Sequence, residues 1–346
     1  MDYLQKIPFL LAPKGYDHTL KKPNYFTKLI TIQAIILKNK PYTIHYKQTL
    51  LLLLSSVTLM AESHFHPLMS NKSSITQQLP SKNQLIVAYY GRPGTSKLGI
   101  LGKYTIPTLI TKVKAKAAQY AKVAKNSHVT PALELVHSMA TVHPGAYKDY
   151  IIPLSEKRTL RYIHAAQAEG MAVFLDHQLG KKTPLQAIRS MLKYLQYHNV
   201  HLAIDPEFAV HGRKVRPGKV IGTITGEDVN RVQAAMSHYM QTHGITETKI
   251  LLLHMFRHRM LKHKSSIRYY PNIKLVMHLD GHGPSAVKVN IYNSIYTPRL
   301  AEHFAGGFKL FFQRDKPRLM TPKQVMGLAP TQRRKINHPP QFISYQ

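Results

Sequence analysis

From residue 84 onward the chain alternates, and that alternation restricts its fold more than any other feature. Short apolar runs recur, each followed by a polar or amphipathic stretch. The runs are "LIVAYY" (85–90), "PALELV" (131–136), "MAVFLDHQ" (171–178), "VHLAIDPEF" (200–208), "VIGTIT" (220–225), "KILLLHMF" (249–256), "IKLVMHLDGHG" (273–283) and "GGFKLFF" (306–312). Most are apolar at nearly every position, as strands buried on both faces require. Helical patterns separate them at 110–125, 154–170, 183–198 and 227–243. Thr183 before Pro184, Thr225 three residues before Asp228, and Gly170 read as helix-end signals. Eight strands interleaved with helices predict one domain of the α/β class, a single (β/α)8 TIM-type barrel over 84–320. The weakest connection is "RHRMLKHKSSIRYY" (257–270), short and basic. An open doubly wound sheet is the alternative. Residues 321–346 read as a tail packed on or near the barrel.

Residues 1–65 form an N-terminal extension. Within it, 45–61 resembles a secretory signal, with Lys47, an apolar stretch from Leu50 to Ala61 and polar sequence beyond. The apolar stretch is shorter than the ~20 residues a membrane span needs. Residues 66–83, rich in Ser, Asn and Pro, read as a linker. Export to the periplasm, cell surface or exterior is the expectation.

Charge narrows the partners. The chain has 48 Lys and Arg against 16 Asp and Glu, a formal net charge of +32, and no Cys. Disulfides and thiolate metal sites are therefore excluded. The basic residues spread along the whole length, without a zinc finger, a ribonucleoprotein motif or a Lys-rich tail, so nucleic acid is not the expected partner. A glycan or another envelope polymer is, with peripheral membrane or cell-wall contact.

Carboxylates are scarce, and five of them fall at or near strand ends. These are Glu134, Asp176, Asp205, Glu207 and Asp280. In a barrel of this type the C-terminal strand ends carry the active site. Asp205 and Glu207, two positions apart, share a side if the strand runs on through Pro206, although Pro206 is expected to end it. Carboxylates crowded in a dry mouth raise one another's pKa, which suits a general acid. Glycosidases use two such groups, about 5–5.5 Å apart when retaining and about 6.5–9.5 Å when inverting. Glu207 is the expected acid/base, with Asp205 or Asp176 as partner. Glu134, Gln178, His254, Asp280, Tyr90 and Arg92 are the expected substrate-binding residues, Arg92 as an anion clamp. Tyr89, Tyr90, Phe208 and Phe256 stand where sugar-stacking aromatics would, in a chain without Trp.

Histidines give an alternative. His177, His254, His278 and His282 could join Asp176, Asp205 and Glu207 in a water-activating metal site. No HExxH, GxSxG, phosphate-binding loop or dinucleotide fingerprint is present. On the glycosidase reading no cofactor and no metal are expected.

The stretches "YYGRPG", "LGILG", "PALEL", "FLDHQLG", "LAIDPEF", "PGKVIG", "EDVN", "LLLHMF", "LDGHG", "GFKLFF" and "TPKQVMGLAP…ISYQ" together resemble a group of uncharacterised exported bacterial proteins of actinobacterial type, often described as lipoproteins. The resemblance spans roughly 84–346. It implies an exported single domain with a glycoside-hydrolase-like barrel, and it places Asp176, Gln178, Asp205, Glu207, Glu227, Asn230, His254 and Asp280 at motif positions. This chain departs in lacking a lipid-attachment Cys and in having Phe208 where Trp is expected. The reading is an exported glycoside-hydrolase-like protein. The alternatives are a metal-dependent phosphoester or amide hydrolase and a non-catalytic barrel that binds anionic envelope polymer.

Overall fold

The computed structural model describes residues 83–346. The signal-like segment 45–61, and all of the predicted linker but its last residue, lie outside the described residues. Among the described residues, no helix is long and apolar enough to cross a membrane.

Eleven strands form among the described residues. They are β1 (Gln84–Gly91), β2 (His128–Ala140), β3 (Ile151–Pro153), β4 (Ala172–Gln178), β5 (Val200–Asp205), β6 (Ile224–Thr225), β7 (Lys249–Met255), β8 (Leu261–Lys262), β9 (Ile273–Leu279), β10 (Ala305–Leu310) and β11 (Phe342–Tyr345). Eight of them, β1, β2, β4, β5, β7, β9, β10 and β11, pair in parallel in that order. The ring closes because β1 pairs on one side with β2 and on the other with β11, Ile86 opposite Phe342 and Tyr89 opposite Tyr345. This is the predicted (β/α)8 barrel.

Two predicted strands are corrected. "VIGTIT" contributes no barrel strand: its last two residues form β6, which pairs with β8 in a separate two-stranded sheet. The eighth barrel strand comes from the segment read as a tail, since β11 sits between β10 and β1. The segment between β7 and β9 holds no α-helix, only short 3-10 turns and β8. The helix read over 183–198 is α-helical only at Pro184–Arg189, with a 3-10 turn at Leu192–Gln196. Both predicted capping boxes or caps hold: Thr183 with Gln186, and Thr225 with Asp228 at the start of the helix Gly226–Thr242.

The strands carry two cores, because successive side chains point to opposite faces. One face packs on the helices, with Leu109, Val113, Tyr120, Ile163, Val232 and Met236 among its buried members. The other fills the barrel with Ile86, Ala88, Ala132, Phe174, Ala203, Leu252, Val276 and Phe342. Alternating small and large residues let Phe174 and Phe342 meet edge to face at 4.8 Å between ring centroids. This apolar plug separates His201, which packs on Phe174 toward the N-terminal end, from the polar groups at the C-terminal end.

Candidate active site

Above the plug, the same period of two carries polar residues inward on nearly every wall. Glu134 on β2 and His254 on β7 are three strands apart around the barrel. Their contact, Glu134 Oε1 to His254 Nε2 at 2.9 Å, therefore crosses the interior. His254 Nδ1 lies 3.0 Å from Asp280 Oδ2, and Nε2 lies 3.8 Å from Asp176 Oδ1. Tyr90 donates its hydroxyl to Asp176 Oδ2 at 3.3 Å. His278 Nδ1 faces Glu134 Oε1 at 3.8 Å, and its Nε2 meets Ser344 Oγ at 3.1 Å. Gly307 leaves room for this ring, for a Cβ there would sit 3.0 Å from both His278 Cα and Cδ2. Lys309 on β10 puts Nζ 3.9 Å from Asp280 Oδ2 and 3.3 Å from the centre of the Tyr90 ring.

The site has two levels. Glu134, Asp176, His254 and His278 are almost wholly buried. Above them a cavity of about 950 Å³ opens at the barrel mouth, lined among others by Tyr90, Gln178, Asp205, Glu207, Asp280 and Lys309. β5 ends at Asp205, as Pro206 predicts, and Pro206–Phe208 turns as a 3-10 segment. Asp205 Oδ1 accepts the Glu207 N–H at 2.9 Å and so fixes that turn. Gln178 bridges Asp205 Oδ2 at 3.5 Å and the Ala140 N–H at 2.9 Å. Asp205 is thus buried within the wall, while Glu207 is partly exposed on the cavity rim.

Environment separates the carboxyls. Burial, then the charges of Asp205 and Asp280, push Glu207 up to about 8. Burial also lifts Asp176 to about 7 against the pull of His254. Asp205 is raised by burial, against the same pull. Burial would raise Asp280 as well, but the His254 hydrogen bond and the His254 and Lys309 charges outweigh it and hold Asp280 low. A protonated Glu207 and an ionised Asp280 therefore line one cavity, on either side of the strand that carries His254.

Of the predicted site residues, Tyr90, Gln178, Asp205, Glu207 and Asp280 line the cavity. Glu134, Asp176 and His254 lie beneath its floor. Arg92 is a correction to the anion-clamp reading. It is buried, and its Nη1 donates to the Val136 and His137 carbonyls at 2.7 Å each, tying β1 to β2. The motif positions Glu227 and Asn230 line no part of the cavity. Glu227 is exposed on the first turn of its helix, and Asn230 holds the Ser266 carbonyl and the Arg268 N–H. Of the predicted aromatics, Tyr89 packs in the outer core, whereas Phe208 and Phe256 reach the cavity together with Phe311.

Of the histidines weighed as ligands, His177 is on the other face of β4, with Nδ1 on the Gln178 carbonyl, and His282 packs on Phe311. The donor set that converges is Glu134, His254 and His278, whose donor atoms all lie within 4.8 Å of one another. Sequence reasoning missed two residues, Lys309 and Ser344. A Lys inside "GGFKLFF", two positions from a Gly, was the available signal for the first. The second lay in a segment not read as a strand.

No family model matches the sequence, and no curated protein matches it. Solved structures to which the chain is similar include a mannanase and a chitinase. The Bacillus subtilis mannanase man26 is 10% identical with a TM-score of 0.38, covering 77% of this chain and 81% of its own. The family 18 chitinase from Crocus vernus is 10% identical with a TM-score of 0.33, covering 66% and 79%. The barrel assignment rests on strand register and needs neither of them.

Proposed function

We propose that this chain is a glycoside hydrolase in which Glu207 is the general acid and Asp280 the partner carboxylate. The observation that carries the reading is the divergence of these two groups within one cavity: Glu207 protonated at neutral pH, Asp280 held ionised by His254 and Lys309. Two carboxyls kept in opposite protonation states are what cleavage of an acetal needs. In the proposed step Glu207 gives its proton to the glycosidic oxygen as the C–O bond breaks. Asp280 stabilises the positive charge developing at the anomeric carbon, either by attacking it or by taking a proton from an incoming water. The pairing differs from the Glu207–Asp205 and Glu207–Asp176 pairs expected from sequence, because Asp205 is spent on the turn and Asp176 lies under the floor. Phe208, Phe256 and Phe311 offer the apolar faces on which a sugar ring can rest.

The substrate proposed is an envelope or extracellular glycan. Export, on which that source depends, rests on the signal-like segment 45–61 alone. A metal-dependent hydrolase is less well supported, because the converging His and Glu donors lie beneath the floor rather than in the cavity wall.

The test is reducing-sugar release by the full chain from a panel of neutral and anionic glycans, beside Glu207→Gln and Asp280→Asn. Release by wild type that falls at least ~100-fold in each variant supports the pair. The anomer formed first, read by NMR, then assigns retention or inversion. No release by folded wild type from any glycan overturns the proposal.

A further inference from the structure

We propose that Glu134, Asp176, His254 and His278 form a buried site for one divalent transition-metal ion, zinc-like in its ligand preference, below the floor of the mouth cavity. The first observation is convergence. The donor atoms of Glu134, His254 and His278 lie within 4.8 Å of one another, and Asp176 Oδ1 is 3.8 Å from His254 Nε2. Bonds of about 2.0–2.2 Å to nitrogen and oxygen put neighbouring ligand atoms about 3–3.5 Å apart. The contacts here, 2.9 Å and 3.8 Å from Glu134 Oε1 to the two rings, bracket that range.

The second observation is independent of the first. Glu134 Oε1 and Oε2, Asp176 Oδ1, His254 Nε2 and His278 Nδ1 are all buried without a hydrogen-bond partner. Glu134 Oε1 and His254 Nε2 approach to 2.9 Å, an ion pair when the imidazole carries a proton on Nε2 and two facing lone pairs when it does not. Orphaned buried polar atoms are costly. A proton shared between His254 and Glu134 would satisfy two of these five atoms and leave the rest. A divalent cation would satisfy four directly, and its charge would balance the two buried carboxylates.

The third observation is the outer layer. The donor facing inward on three of the four residues is selected by a bond on its far side. Asp280 holds His254 Nδ1, Ser344 holds His278 Nε2, and Tyr90 holds Asp176 Oδ2. Such outer partners are how proteins orient metal-binding imidazoles and carboxylates. Two imidazoles disfavour Mg²⁺ and Ca²⁺, which prefer oxygen ligands, and favour a first-row transition ion. With the ion bound His254 would be neutral and keep its Nδ1–H on Asp280, and the ion would replace the imidazolium as the positive charge beneath that carboxylate. Its role would be positioning, and the site stands whether or not the chain cleaves glycans.

The experiment uses the full chain, purified without a metal-affinity step. Elemental analysis is expected to find about one zinc-like ion per chain. Chelation should lower the melting temperature, and Zn²⁺ but not Mg²⁺ should restore it. Co²⁺ exchange should give the absorption of a four-coordinate site rather than the weak bands of aqueous ion. His278→Gln should lose the stoichiometric ion. Ser344→Ala, a milder change, should weaken binding ~10–100-fold while keeping the fold. A folded wild-type chain that takes up no Zn²⁺ and melts unchanged with chelator overturns the proposal. So does full retention of the ion by folded His278→Gln, which would place it on surface histidines.

Discussion

Glu207 carries a conflict between stability and chemistry that can be measured. Its pKa rises from the ordinary carboxyl value to about 8 on folding. Between pH 4.5 and 8 the folded chain therefore keeps a proton that the unfolded chain releases, and stability falls as pH rises through that window. Glu207→Gln should remove the penalty. At pH 7 it should melt higher than wild type, and the difference should vanish near pH 4, where the group is protonated in both states. The same variant should lose hydrolysis ~100-fold or more, and wild-type activity should decline above about pH 8 as the proton donor ionises. A variant that loses activity without gaining stability at pH 7 would show that Glu207 is not desolvated enough on the cavity rim to hold its proton. Arg92 makes the opposite case. Arg92→Met removes a charged donor from the Val136 and His137 carbonyls, the latter keeping only the Leu154 N–H, and should cost about 1–3 kcal/mol in urea unfolding while leaving the mouth intact. Asp205 and Glu207 could be picked out in sequence because carboxylates are rare in an apolar run. Arg92 misled because nothing in "YYGRPG" says that the guanidinium turns back onto the β2 backbone.

The barrel closes through its shortest wall strand, β11, four residues long. It brings Phe342 into the apolar plug and Ser344 to His278. A chain stopped at residue 340 should expose the β1 and β10 edges and lose cooperative melting, with aggregation as the readable consequence. A milder test is Gly307→Ala, whose Cβ would meet His278 at 3.0 Å and Val276 at 3.1 Å. About 1–3 kcal/mol of destabilisation is expected, read from the urea midpoint. Seven of the eight barrel strands could be read from their apolar runs because burial on both faces leaves a continuous pattern. β11 could not, since "FISY" is too short to stand out from a Pro-rich tail. "VIGTIT" was misread for the converse reason. An apolar β-prone run pairs with whatever edge it meets, and here that edge is β8 rather than the barrel.

The whole molecule is far from neutral, and its cavity shares the imbalance. With a formal charge of +32, the mouth is ringed by exposed Lys97, Arg213, Lys219, Arg257, Arg259, Lys262 and Arg314, while its acids Asp205, Glu207 and Asp280 sit deeper. A glycan bearing carboxylates, phosphates or sulfates would meet cations before it met the carboxyl pair. Attraction of this kind is screened over about 8–10 Å at 0.1–0.15 M salt and about 3 Å at 1 M. For an anionic glycan, KM should therefore rise steeply between 0.05 and 0.5 M NaCl with kcat nearly constant, because the cations act on approach and not on bond cleavage. A neutral glycan of the same backbone should show little salt dependence. Replacing Arg213, Lys219 and Arg257 together with Gln should flatten the anionic curve toward the neutral one and leave the melting temperature close to wild type. Equal salt dependence for both glycans would mean that the rim charge serves solubility or surface attachment, and that the cavity selects its sugar by the aromatic and carboxyl groups alone.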